Sequence, residues 1–299
     1  MTTSNGLLLI DKPGGVTSHD VVARVRTLLD EQRVGHAGTL DPMATGLLVL
    51  AVGPSTRLLR FAQSEIKRYR GVVTLGVATD SLDADGAVLE RREVPPLTSE
   101  GVNDVARTML GTQWQVPPMV SALKVNGRRL HALAREGVVV ERPAREITVQ
   151  ALSLEALASS NEWTFDVTCS VGTYVRVLLA DLAQRLGTVG HLSALRRLAS
   201  GTHHVDKALT LGELERRVHL GTTVLLPPLE FVTQLDSVVV SHDQATRLRQ
   251  GQRVNLDKTG DDEIAAMSDA GALVAVLRRR EESWQPVVVM PDDEKNGRG

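Results

Sequence analysis

The stretch Val34-Gly-His36-Ala-Gly-Thr-Leu-Asp41-Pro42-Met-Ala-Thr-Gly46 is rich in glycine and threonine, and a proline follows its one acidic residue. Pro42 biases Asp41 away from helical dihedrals, so residues 34–46 read as a loop that carries a carboxylate. The flanks are apolar and short. Residues 47–52 form a continuous apolar run of strand length, and residues 7–10 form another. Between them, after the turn Asp11-Lys-Pro-Gly-Gly15, Ser18 stands where a helix cap belongs. Val21, Val22, Val25, Leu28 and Leu29 then recur at helical spacing, and the helix should end near Asp30. Further on, residues 56–62 read as a helix, 69–75 as a strand, 126–136 as a basic helix, 163–170 as an alternating strand and 174–186 as a packed helix. Strand and helix do not alternate regularly, which argues for an α+β arrangement over a doubly wound parallel sheet. Past Pro227-Pro228, short β-like runs at 237–240, 264–267, 273–277 and 287–289 surround one helical segment at 242–250. The expected organisation is a domain over 1–230, a small β-rich domain over 231–292 and a polar tail over 293–299.

Composition narrows the classes. At 299 residues, 42% hydrophobic and 23% charged, the chain is close to globular averages, which excludes disordered, collagen-like and disulfide-stapled architectures. The single Cys169 cannot form an internal disulfide. The first apolar run, residues 7–10, is too short for a signal peptide or a membrane span, so a cytoplasmic protein without membrane attachment is expected. The net charge of −2 hides an asymmetry: residues 1–200 carry 22 basic and 20 acidic side chains, residues 201–299 carry 12 and 16. Basic residues concentrate at 55–70 and at 101–150, candidate patches for a polyanion.

Several chemistries can be set aside. The chain has no phosphate loop, no dinucleotide fingerprint, no H-E-x-x-H and no paired cysteines for zinc. Ser81-Leu-Asp83-Ala-Asp85-Gly86 begins like a calcium loop, but Arg92 occupies the twelfth position, where a bidentate Glu is required. His203 and His204 are adjacent, a spacing that does not favour one shared metal. No metal and no cofactor are therefore expected. Only two tyrosines occur, and each has arginine nearby: Lys67-Arg-Tyr69-Arg70 and Gly172-Thr-Tyr174-Val-Arg176. Aromatic rings for stacking bases, beside cations for phosphates, suit an RNA ligand.

These segments together resemble the TruB family of bacterial tRNA pseudouridine-55 synthases. The matching stretches are residues 6–13 (GLLLIDKP), 35–46 (GHAGTLDPMATG), 67–70 (KRYR), 79–86 (TDSLDADG), 117–124 (PPMVSALK), 169–176 (CSVGTYVR) and 195–198 (LRRL). Their order and spacing fit the family over roughly residues 6–200. The resemblance implies the pseudouridine-synthase fold, a mixed, largely antiparallel sheet flanked by helices and loops, and a C-terminal PUA-like RNA-binding domain. It implies isomerisation of a uridine in the T-loop of tRNA, with no cofactor consumed and no obligatory protein partner, by a monomer that holds the T-loop and T-stem. It assigns Asp41 as the essential carboxylate, Arg176 as the cation that keeps Asp41 ionised and oriented, and Tyr69 as the ring that stacks on the uracil. His36 is implied to contact the T-loop, Tyr174 and Leu195 to line the pocket, and Lys124, Arg128 and Arg129, with Arg135, to meet the RNA backbone. The chain departs from the pattern at Val120, where an aromatic is expected, and at Val171, where Lys is common. A second reading, suggested by the basic patches, is a tRNA-binding and folding module in which modification is secondary.

Overall fold

Apolar runs and alternation dictate the strands. The computed structural model describes residues 4–292, apart from 64–65, 122–123, 126–127, 130–135, 137, 139, 159–160 and 259–261. Strand β1, Gly6–Lys12, is apolar on both faces because both faces are covered. Helix α1, Ser18–Leu29, ends at Asp30, in left-handed conformation with φ 48°. Its cap is Thr17 rather than Ser18: the Thr17 hydroxyl accepts from the Asp20 amide and the Asp20 carboxylate accepts from the Thr17 amide. Ser18 is buried instead, and its hydroxyl exchanges hydrogen bonds with the backbone of Leu40, 3.2 Å to the carbonyl and 2.9 Å from the amide. The helix start is thereby fastened to the residue before Asp41.

The segment read as a loop is partly strand. β2, Val34–His36, pairs antiparallel with β3, Thr45–Val52, because Val34 is apolar and finds a buried place beside Val52. A 3₁₀ turn, Gly53–Leu58, and helix α2, Leu59–Gln63, lead to β4, Lys67–Leu75. Strict alternation turns Lys67, Tyr69, Val73 and Leu75 inward and Arg68 and Arg70 outward. A hairpin of β5, Val77–Thr79, and β6, Val88–Arg91, precedes helix α3, Ser99–Arg107, and β7, Gly111–Gln115. Of the basic segment expected as a helix over 126–136, Arg128–Arg129 form instead a strand, β9, paired with β8, Lys124–Val125, while 126–127 and 130–135 lie outside the described residues. Arg135 lies outside the described residues. Next come β10, Arg145–Ala156, β11, Glu162–Cys169, helix α4, Val175–Arg185, β12, Gly190–Ser200, β13, His203–His204, and helix α5, Leu211–His219.

The main sheet runs β1-β3-β12-β4-β11-β10-β7, with β2 beside β3 and β13 beside β12. Every pairing is antiparallel except the short contact between β3 and β12, where Thr45 meets Arg196 and Gly46 meets Arg197. Leu178, Leu179 and Leu182 of α4 and Val102 and Ala106 of α3 bury Val73, Ile147, Phe165 and Val167. Fully burying one such leucine or phenylalanine contributes about 1.5–3 kcal/mol. At the other end, α1 and α5 cover Leu8, Ile10, Leu48 and Leu50. The chain finishes as a second sheet, β14 Ser237–Val239, β15 Glu263–Met267, β16 Leu273–Arg280 and β17 Ser283–Val289 in that order, with helix α6, His242–Arg249. Ala265, Val276 and Val288 of this sheet, with Met290 just after it, pack with Leu58 and Phe61 against Leu7, Leu9 and Leu47. The fold is thus α+β, as the sequence predicts. No described helix is long and apolar enough to cross a membrane.

Candidate active site

The parallel contact between β3 and β12 requires a close backbone approach, and Gly46 permits it. Its φ is +98°, and a Cβ there would stand 2.3 Å from the Arg197 carbonyl oxygen. The loop 37–44 is held over this junction. The Lys12 ammonium donates to the carbonyls of Pro13, Val16 and Pro42 at 2.9, 2.7 and 3.2 Å, while Ser18 holds Leu40 from the other side. Asp41 is fixed between them.

Beneath the loop lies a cavity of about 360 Å³ whose lining includes Asp41, Tyr69, Tyr174, Arg176, Leu195 and Arg197. Arg176, 2% exposed at the first turn of α4, faces Asp41 side-on with one edge of its guanidinium: Nη2 donates to Oδ1 at 3.2 Å, and Nε lies 2.9 Å from Oδ2. The remaining donors are used as well. Nη1 donates to the Ser81 carbonyl at 2.6 Å and lies 3.2 Å from Asp83 Oδ2, and Nη2 donates to the Val120 carbonyl at 2.9 Å. One buried cation therefore serves two carboxylates. Asp83 is buried and further held by the Ser81 hydroxyl.

The net effect on Asp41 differs from the simple expectation for an Asp–Arg pair. Burial pushes its carboxyl above the ordinary 3.8, Arg176 pulls it down, and the Asp83 charge adds to the rise. Arg176 orients Asp41 without bringing it below the usual carboxylate range. Burial likewise raises the Tyr69 phenol, against the pull of the Arg197 guanidinium hydrogen-bonded to it, so Tyr69 is a neutral hydroxyl at pH 7. Arg197 is 1% exposed; its Nε donates to the Leu47 carbonyl at 2.6 Å and its Nη2 to the Gly38 carbonyl at 3.2 Å. Burial lowers Lys12 to about 8, with Asp41 opposing the fall.

The structure therefore brings Asp41, Tyr69, Arg176, Tyr174 and Leu195 together, and leaves other sequence candidates elsewhere. His36 sits on β2 outside the cavity lining; its Nδ1 is buried without a hydrogen-bond partner among the described residues, and burial lowers its pKa. Lys124 and Arg129 stand on the β8–β9 hairpin, as does Arg128, which is exposed and ion-paired with Glu136. Among the basic residues at 55–70 only Lys67 is buried, reaching the Ser200 hydroxyl and the Ala62 carbonyl; the exposed arginines are partly paired, Arg60 with Glu263 and Arg68 and Arg70 with one shared Asp166.

Asp83, Gln115, Arg145 and Arg197 are absent from the sequence prediction. Asp83 lies in the segment first considered as a calcium loop, and Arg197 follows directly on Leu195-Arg196; neither their spacing nor their residue type signals a site shared with Asp41. Lys67, Arg145, Arg176 and Arg197 line the cavity against Asp41, so its walls are net positive even with Asp83 counted. Such a cavity suits an anionic ligand and a reaction in which a carboxylate acts on a neutral ring.

The description "TruB family pseudouridylate synthase (N terminal domain)" matches residues 26–175, and "tRNA Pseudouridine synthase II, C terminal" matches residues 235–291. The chain is 43% identical to tRNA pseudouridine synthase B of Leifsonia xyli subsp. xyli over 97% of its own length and 98% of that protein's. It is 40% identical to the protein of the same name from Streptococcus pneumoniae serotype 4, over 94% and 98%. Among solved structures, a chain of a Cbf5-Nop10-Gar1 complex superposes with a TM-score of 0.71 at 23% identity, over 96% of this chain and 84% of that one, which shows a shared fold. With the Asp41 loop and the Tyr69 strand inside the first matched region and the second sheet filling the other, the chain belongs to the TruB family of pseudouridylate synthases.

Proposed function

We propose that the protein isomerises the uridine at position 55, in the T-loop of tRNA, to pseudouridine. The bond between C1′ and N1 of the target breaks, C1′ joins C5 of the same base, N1 takes up a proton and C5 loses one to solvent, so atoms balance without a cofactor. The observation that carries the reading is the Asp41–Arg176 pair at the wall of a cavity that also holds Tyr69. An aspartate can form an adduct with sugar or base or take a proton from the sugar, and Asn can do none of these. Arg176 aims the carboxylate, and Tyr69 offers a ring to the uracil and a neutral hydroxyl to its edge.

A uridine inside a stacked loop cannot reach Asp41, so the target leaves its stack, at a cost of a few kcal/mol met by contacts elsewhere. Tyr174 and Leu195 pack beside the extruded base, His36 contacts the T-loop, and Lys124, Arg128 and Arg129 meet phosphates of the T-arm. Residues 1–230 carry the reaction in this account, and 231–292 add a second RNA contact, on a protein that acts as a monomer. The reading is tested by digesting treated tRNA transcript to nucleosides and separating them. Pseudouridine should form with wild-type protein, vanish with Asp41→Asn, and vanish when the T-loop uridine is replaced by cytidine. Undiminished binding with no product in any sample would leave the binding-module reading in its place.

A further inference from the structure

Arg145 opens β10 and pairs across the ladder with Gln115 at the end of β7, so the two side chains rise on the same face of the sheet. Both engage Tyr174. The Gln115 amide clamps its backbone, with Oε1 accepting from the Tyr174 amide at 2.7 Å and Nε2 donating to its carbonyl at 3.1 Å. The Arg145 guanidinium lies over its ring, 4.6 Å from the centroid. Among the described residues, Arg145 has no ion pair and makes no side-chain hydrogen bond; its Nε is buried and unpartnered. Arg176 and Arg197, the neighbouring guanidiniums of the cavity, each donate side-chain hydrogen bonds to protein oxygens, and Arg176 also pairs with Asp41. Arg145 differs from both: it is pre-positioned by stacking, yet its fork of donors is directed to no protein group.

We infer that Arg145, held over the ring of Tyr174, is the site that grips a phosphodiester of the RNA strand next to the isomerised uridine. A planar guanidinium matches two phosphate oxygens at once, and stacking on an aromatic ring fixes its orientation without using its N–H groups. This cation lines the same cavity as Asp41, so the grip would set the depth to which the nucleotide enters. This inference rests on the functional reading above, because it takes the ligand to be RNA.

The test uses full-length protein carrying Asp41→Asn, which keeps the RNA unreacted, and a T-arm stem-loop. Dissociation constants are measured across salt concentrations with Arg145 intact, Arg145→Gln and Arg145→Lys. Loss of one charge-assisted contact predicts binding weakened about tenfold or more at low salt with Gln, and a log–log salt slope shallower by about 0.7–0.9. Lys should restore the slope but only part of the affinity, since it carries the charge without the stacked fork. Stem-loops with a single neutral methylphosphonate then locate the contact: at one linkage flanking the uridine, the modification and Arg145→Gln should cost no more together than either alone. An unchanged slope, or additive losses at every flanking linkage, overturns the inference while leaving the enzyme assignment intact. Failure of the Asp41→Asn protein to bind the stem-loop at all overturns both.

Discussion

Replacing Arg176 by methionine removes the cation that contacts both Asp41 and Asp83 and leaves two carboxylates facing each other beneath the loop. Breaking a buried ion pair by deleting one partner costs about 3–5 kcal/mol, because the remaining charge is unmatched. Asp83 is buried, but the Asp41 side chain is 30% exposed and its charge is partly screened, which favours the lower half of that range. At about 2–4 °C per kcal/mol, Tm should fall by roughly 6–15 °C. Asp41→Asn should behave quite differently. It leaves the Arg176–Asp83 pair intact and removes a charge that burial disfavours, so Tm at pH 7 should stay within about 3 °C of wild type while turnover disappears. The sign of the pH effect follows from the raised Asp41 pKa. Between 3.8 and the raised folded value the native state binds more protons than the unfolded chain, so the Asp41 contribution to stability falls as pH rises through that window. Above the window the penalty is constant. Thermal melts of the wild type, both single variants and the Arg176→Met/Asp83→Asn double variant decide the matter. The double variant should recover part of the loss, and a melt for Asp41→Asn as low as that for Arg176→Met would refute the reasoning.

Other outcomes follow from the same geometry. Turnover should fall on the acid side as Asp41 takes up a proton, with a midpoint above 3.8, and on the alkaline side near 8 as Lys12 loses the charge that holds the Pro42 carbonyl; a profile flat from pH 7 to 10 would contradict the Lys12 role. Tyr69→Phe keeps the ring and loses the hydroxyl, so RNA affinity should hold while the chemical step slows by about 10²–10⁴ if the hydroxyl handles a proton; single-turnover kinetics separates the two. Gly46→Ala drives a Cβ to 2.3 Å from the Arg197 carbonyl at positive φ, and the strain and overpacking should cost about 2–4 kcal/mol, read as a lower Tm and weaker activity together.

Much of this organisation was legible in the residues, for identifiable reasons. Alternation in Lys67–Leu75 put Tyr69 on the buried face, and the apolar runs at 7–10 and 47–52 mark strands because both of their faces are covered. The segments of the second sheet and its helix emerge almost where the periodicity sets them, since the strands are short apolar runs and the helix opens on the Ser241 cap. Local patterning fails where tertiary contacts decide. Ser18 and Thr17 are both good caps by type, and only the presence of Leu40 shows that Ser18 is needed elsewhere. Arg128 and Arg129 lie in helix-forming company yet pair as a strand. Asp41, Tyr69 and Arg176 are named by motif, whereas Asp83, Arg145 and Gln115 acquire their roles only from the neighbours that folding supplies. The basic run at 55–70 shows the converse, a patch in sequence whose cations the fold partly pairs with Asp166, Glu263 and Ser200.

The most direct test of the whole account is release of tritium from C5-labelled uridine in an unmodified tRNA transcript, with purified protein and nothing else added. The account predicts one tritium released per transcript with wild-type protein, and none with Asp41→Asn or with cytidine in place of the T-loop uridine. Release that persists in the Asp41→Asn protein, or that does not depend on the T-loop uridine, would contradict it.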